Sequence, residues 1–197
     1  VPVLWDKERQ TIVNNESSEI IRIFDSAFGE LAAPRATGVP STFTPPELQE
    51  AIDAINSEVY DNVNNGVYRA GFATTQEAYD EAVNALFSTL DALEERLATQ
   101  RYLVGETLTE ADLRLFTTLV RFDAVYHGHF KCNRRRLIDY PNLWGHTREI
   151  YQLPRVAETV VMEHITHHYY WSHTTINPTR VVPTGPELDF DEPHGRG

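Results

Sequence analysis

Two short runs of strand-forming residues, Val3-Leu4-Trp5 and Thr11-Ile12-Val13, flank the polar stretch Asp6-Lys7-Glu8-Arg9. That pattern predicts an antiparallel hairpin, ended by Asn14 and Asn15. From Ser17 the period changes: Ile20, Ile21, Phe24 and Phe28 recur at helical spacing, with Glu16 and Glu19 at the positive end of the helix dipole. Gly29 suits the role of terminator. Because Val1 leads straight into a hydrophobic strand pattern, a further upstream part is expected. Pro34, Gly38, Pro40, Pro45 and Pro46 then punctuate residues 30–46, which read as a linker.

Beyond the linker the pattern is helical. Pro45-Pro46 suits a first helical turn, and Leu48, Ile52, Ile55 and Val59 form one face up to about Val63. Asn62 to Gly71, containing Asn64-Asn65-Gly66, reads as a turn-rich break. After Thr74-Thr75 a long helix carries the stripe Ala78, Ala82, Leu86, Leu90, Leu93 and Leu97. Thr109-Glu110-Ala111-Asp112 is a capping box with Asp in place of Glu or Gln. The helix it opens carries Leu113, Phe116, Leu119, Val120 and Asp123 towards Tyr126. A loop rich in His and Arg, 127–136, precedes shorter helices predicted at about 142–151 and 154–170. The segment from Asn177, with Pro178, Pro183, Pro186 and Pro193, is predicted to be extended.

Composition narrows the function classes. The 197 residues could hold one domain, or one domain plus a piece of another. Net charge is −12, from 17 basic and 29 acidic residues, which argues against nucleic-acid or anionic-membrane partners. A halotolerant host would produce the same acidity. No apolar run reaches the length of a membrane span and no basic-then-apolar leader opens the chain, so the expected compartment is the cytoplasm. Cys132 is the only cysteine, which excludes an intrachain disulfide.

His164 and His168 lie at i,i+4 on a predicted helix, with His167 adjacent, and His127, His129 and Cys132 could add ligands from the loop. No second motif fixes a tetrahedral set, and the surrounding aromatics favour histidines packed in an aromatic cluster, so no metal site is assigned. Lys131-Arg134-Arg135-Arg136 reads as a salt-bridged surface run rather than an anion site.

Strand, turn, strand and helix with Pro2 near the start resembles the second half of the thioredoxin-like domain of glutathione transferases. Asn65-Gly66-Val67-Tyr68-Arg69-Ala70-Gly71-Phe72-Ala73, Phe122-Asp123-Ala124-Val125-Tyr126-His127, His129-Phe130-Lys131-Cys132-Asn133, Ile176-Asn177-Pro178 and Pro193-His194-Gly195-Arg196 narrow the resemblance. They resemble the glutathionyl-hydroquinone reductases, the Xi class of that superfamily, over essentially the whole chain.

The resemblance implies a mainly α fold in four parts. Residues 1–30 would be the C-terminal part of a thioredoxin-like glutathione-binding domain and 31–46 the linker. Residues 47–176 would be an all-helical domain, followed by an extended tail over 177–197. It implies glutathione as cosubstrate, bound by Val1, Pro2, Val3, Glu16 and Ser17: backbone pairing beside a cis-proline, and the γ-glutamyl end at Glu16-Ser17. Ser17 and the first-turn N–H groups suit a carboxylate, and Glu16 an ammonium.

Tyr68 would donate a proton, while Tyr126 and Tyr169 would stabilise a cysteine thiolate. With nine tyrosines in the chain, spacing alone would not select these three, and packing is the ordinary role of such residues. The family's Cys-Pro-Trp nucleophile and a downstream glutathione-holding tryptophan do not occur here. Cys132 lies in another motif, so the nucleophile is expected upstream. A homodimer through the helical part is implied. The alternative is a noncatalytic helical module of the same type, serving binding or assembly.

Overall fold

In the computed structural model, residues 2–28, 31, 36 and 38–196 are described. Val1, the terminator Gly29 and the linker's Pro34 lie outside them. The hairpin forms as expected: β1 (Leu4–Asp6) pairs antiparallel with β2 (Thr11–Asn14), Trp5 opposite Ile12, with an irregularity between Leu4 and Trp5. Asp6 makes its turn by accepting the N–H groups of Glu8 and Arg9 at 2.9 Å each. Asn14 ends it by accepting the Glu16 N–H at 2.7 Å.

Helix α1 (Ser17–Ser26) follows, with Glu16 as its N-cap. The helical stripe read for α1 does not become a buried face. Ile20 is buried, whereas Ile21, Phe24 and Phe28 are exposed, Phe24 to 53%. Val3, Trp5, Ile12 and Val13 of the hairpin are exposed as well. Apolar burial therefore contributes little to holding this segment in place, and polar anchors take that role.

The helical part begins with a 3₁₀ turn at Pro46–Leu48 and α2 (Gln49–Val59). The expected break at 62–71 is absent. Instead α2 runs through a π turn (Tyr60–Asn64) into α3 (Gly66–Gly71). Asn64 is used for tertiary contact, not for a reverse turn: its amide donates to Thr118 Oγ1 at 2.6 Å and to the Arg114 carbonyl at 3.1 Å.

Helix α4 (Gln76–Thr99) is capped by Thr75 Oγ1, which accepts the Ala78 N–H at 3.2 Å. Its stripe from Ala82 to Leu97 lies in the core, while Ala78 is exposed. The capping box opens α5 (Glu110–Arg121), and a second π turn (Phe122–Tyr126) extends it. Helix α6 (Pro141–Tyr151) matches expectation.

The final helix, α7, spans Met162–Ser172 and starts later than the 154–170 predicted. Arg155 takes a left-handed backbone with φ of 71°, which an α-helix cannot accommodate, and only a 3₁₀ turn (Ala157–Thr159) forms before Met162.

The extended tail is held by packing. Phe190 is buried between Trp144 and Tyr151, with ring centroids 5.2 and 5.0 Å away. The Arg196 guanidinium reaches Glu149 at 3.0 Å, the Leu97 carbonyl near the end of α4 and the Gln100 carbonyl just beyond it.

Candidate functional site

Three elements bring the three expected tyrosines together. Tyr68 comes from α3, Tyr126 ends the π turn after α5, and Tyr169 lies on α7. The Tyr169 hydroxyl hydrogen-bonds to that of Tyr68 and, at 2.7 Å, to that of Tyr126. Phe130 backs the group, stacking on Tyr126 at 5.5 Å and meeting Tyr68 edge-on at 5.3 Å. Burial, foremost, pushes the Tyr126 and Tyr169 phenols well above their ordinary pKa. Both stay protonated at neutral pH and act as hydrogen-bond donors. Tyr126 is 2% exposed and hydrogen-bonds to Tyr169, whereas Tyr68 is half-buried.

Local backbone geometry sets these positions. In the π turn the His127 N–H reaches the Phe122 carbonyl at 2.9 Å, and Cys132 N–H closes the loop onto the Tyr126 carbonyl at 3.0 Å. Asp123 accepts the N–H groups of Leu137 (2.5 Å) and Ile138 (3.2 Å), pinning the loop's far end. Burial raises its pKa, and those two donors oppose the rise.

The histidines separate. His129 Nε2 and His173 Nδ1 lie 3.1 Å apart beside Phe130 and Tyr170, within an aromatic cluster. Burial, aided by His173 and Lys131, lowers the His129 pKa to about 4, so the ring is neutral at physiological pH. His164, His167 and His168 are exposed. Among the described residues, no group of three His, Cys, Asp or Glu side chains is placed to hold a metal.

Cys132 is fully buried and burial pushes its thiol up to about 12, so it is not an available thiolate. Two arginines of the basic run are salt-bridged, Arg135 with Asp91 (2.7 Å) and Arg136 with Asp139 (2.8 Å), and Arg134 hydrogen-bonds to Asn84 (2.6 Å).

A second feature lies at the start of α1. A cavity of about 840 Å³ between α1, the π turn after α2 and α5 is lined by Glu16, Ser17, Ile21, Phe24, Glu110 and Arg114, among others. Glu16 Oε1 accepts the Ser18 N–H at 3.4 Å and its hydroxyl at 3.3 Å, so this carboxylate already caps its own helix. Ser17, the first-turn N–H groups and the Arg114 guanidinium suit an anionic group, and Glu16 a cation.

Pro2 and Val3 are exposed and do not line the cavity, and Val1 lies outside the described residues. None of the three tyrosines lines it either. The two groups of expected site residues therefore occupy separate places, joined through the π turn that carries Tyr60 and Asn64.

Sequence reasoning missed the ion pair beneath this cavity. Arg22 Nε donates to both Glu110 carboxylate oxygens at 3.0 Å, and Arg22 Nη2 reaches Asp53 at 2.6 Å. Partners separated by 88 and 31 positions leave no periodic signal in the chain.

A family model described as "Glutathione S-transferase, C-terminal domain" matches residues 76–149. The glutathionyl-hydroquinone reductase YqjG of Escherichia coli is 58% identical over 196 residues, covering 100% of this chain and 58% of that protein. The glutathione-bound structure of YqjG superposes with a TM-score of 0.94, covering 100% of this chain and 62% of that one. The Xi class transferase of Natrialba magadii is 54% identical, also with a TM-score of 0.94, covering 100% of this chain and 58% of that chain.

Over its whole length this chain is similar to glutathione transferases of the Xi class. Its mainly α fold, with the family's helical domain after a two-stranded sheet, agrees with the sequence expectation. The matches use the whole of this chain. The chain spans 58% of the length of YqjG. Among the described residues, no helix is long and apolar enough to cross a membrane.

Proposed function

We propose that this chain takes part in the glutathione-dependent reduction of glutathionyl-hydroquinones to hydroquinones. The observation that carries the reading is the convergence of the Tyr68, Tyr126 and Tyr169 hydroxyls from three separate elements. The 58% identity to a glutathionyl-hydroquinone reductase supports it, as does the glutathione-bound structure of that relative.

In this reading a cysteine thiolate attacks the glutathione sulfur of the substrate. The sulfur–ring bond breaks with its electron pair on the ring carbon, and Tyr68 gives that carbon a proton. Release of the hydroquinone leaves a protein–glutathione disulfide; a second glutathione thiolate attacks its glutathione sulfur, forming oxidised glutathione and expelling the cysteine thiolate, which is thereby regenerated. Tyr169 donates to Tyr68 or to the thiolate, and Tyr126 holds Tyr169 in place. The γ-glutamyl end of glutathione sits at Glu16 and Ser17, with Val1, Pro2 and Val3 along its backbone.

Cys132 is buried with a raised pKa, so the nucleophile is a thiolate that these 197 residues do not supply. The chain alone is then inactive. Division into a thioredoxin-like part (1–30), linker (31–46), helical domain (47–176) and tail (177–197) belongs to the same reading. So do homodimerisation through the helices and a cytoplasmic setting. The buried state of Cys132 also favours the second reading, a noncatalytic helical binding or assembly module.

Hydroquinone release by the native protein, measured with glutathione and a glutathionyl-hydroquinone, separates the two. Tyr68→Phe is expected to lower the rate about 100-fold, the contribution of a positioned general acid. An unchanged rate removes Tyr68 as donor, and no turnover by the native protein favours the noncatalytic module.

A further inference from the structure

We propose that Glu110 and Arg22 are positioning residues for glutathione: their ion pair fixes α1, and with it the Glu16–Ser17 end, against the cavity. The inference rests on the glutathione reading above. Ile20 is the one residue of α1 that is buried, so apolar packing does not fix the helix's orientation. Its polar face does. Arg22 forks onto Glu110 with Nε at 3.0 Å from both oxygens, while its Nη2 reaches Asp53 of α2 at 2.6 Å. Three residues on, Asp25 accepts the Thr42 hydroxyl at 2.6 Å and the Phe43 N–H at 2.9 Å.

Glu110 gathers the remaining elements. Its side chain is 3% exposed and also accepts Asn56 Nδ2 at 2.8 Å, with Arg114 Nη1 at 3.9 Å. Its backbone N–H donates to the Phe43 carbonyl at 2.9 Å. One residue, through its carboxylate and its backbone N–H, thus ties α1, α2, the residues before α2 and α5 to a single point. A forked guanidinium–carboxylate pair fixes direction as well as distance. Arg22 lies five residues beyond Ser17, about 7.5 Å along the helix axis, so a small tilt at the anchor displaces the first-turn N–H groups from the cavity. None of the hydrogen bonds or ion pairs of Arg22, Glu110, Asp53 and Asn56 reaches α4, so loss of this anchor leaves the polar contacts of the α4 core in place.

The test titrates glutathione into the full chain and follows the backbone amides of Glu16, Ser17 and Ser18 by ¹H–¹⁵N NMR, with hydrogen exchange read on α4 and α6. Glu110→Gln keeps the shape and an acceptor for Asn56 but removes the charge. It is expected to weaken binding about 10-fold while exchange on α4 and α6 stays as in the wild type. Arg22→Met should behave likewise, and Arg22→Lys should recover part of the affinity. Wild-type affinity in Glu110→Gln overturns the anchor role alone, as does a loss of affinity that appears only with lost protection on α4 and α6. If the wild-type amides at 16–18 do not respond to glutathione, the glutathione reading is refuted, and the anchor's binding role with it.

Discussion

Replacing Gly71 by alanine sets two effects of opposite sign against each other. Gly71 ends α3 and is buried. On helix propensity alone, the change should stabilise the protein by about 1 kcal/mol. Packing opposes it: a Cβ built at this position falls 2.2 Å from Phe130 Cγ, 2.3 Å from Cδ1 and 2.8 Å from Cβ. Carbon atoms need about 3.5 Å, so the ring would have to retreat by about 1.3 Å. Phe130 is fully buried, with Tyr126 stacked at 5.5 Å and Tyr68 edge-on at 5.3 Å, and the contact includes its own Cβ. A rotamer change cannot move that atom.

Overpacking of one methyl costs about 1–3 kcal/mol, and the upper part of that range applies here. The net expectation is a loss of about 1–2 kcal/mol, or a fall of about 2–8 °C in Tm for a chain of this size. Thermal and urea unfolding followed by circular dichroism read it directly. Phe130→Leu in the same background should recover part of the loss, a coupling that independent sites would not give. A Gly71→Ala protein as stable as the wild type, or more so, would refute the close approach and the placement of Phe130 against the tyrosines.

Asp112 tests whether the capping box is local. As an ordinary cap it is worth about 0.5–2 kcal/mol, but its carboxylate is wholly buried. It receives the N–H groups of Leu103 (2.8 Å) and Thr109 (2.9 Å) and His146 Nε2 (3.0 Å). Asp112→Ala should therefore cost about 3–5 kcal/mol in urea unfolding while Thr109→Ala stays near 1, and equal losses would contradict this. His129 gives an acid-side signature. Its folded pKa of about 4 lies below the ordinary 6.5, so its neutral form stabilises the fold above pH 6.5. That stability drains away as pH falls from 6.5 to 4. Allowing for solvent screening, the loss is roughly 1–2 kcal/mol. His129→Asn should flatten stability-versus-pH over that window; an unchanged slope would remove the assignment.

What the chain reveals in one dimension is what its local chemistry decides. Asp6 and Asn14 close their own turns, Thr75 and Thr109 cap their own helices, and the stripe from Ala82 to Leu97 needs only its period to announce a buried face. The reading fails where a partner far along the chain takes over. Asn64-Asn65-Gly66 carries turn chemistry, yet Thr118 and the Arg114 carbonyl claim the Asn64 amide, and the helix continues through a π turn. Ile21, Phe24 and Phe28 carry the period of a buried stripe and are exposed, because period identifies a face without saying what covers it.

The site divides in the same way. The three tyrosines were selected by the motifs around them, since nine tyrosines with mixed spacing hold no such information, and their meeting point depends on two π turns and a late-starting α7. In the sequence Glu110 is only one of the four residues of the Thr109–Asp112 capping box. Its partner Arg22 lies on the polar side of a helix whose apolar residues drew attention. Such a pair is visible only once α1 and α5 meet, and the same meeting makes Glu110 more than a dipole charge. A neutral Gln there would satisfy the helix end almost as well, but it would leave the Arg22 guanidinium without its forked partner at the point where α1 takes its direction.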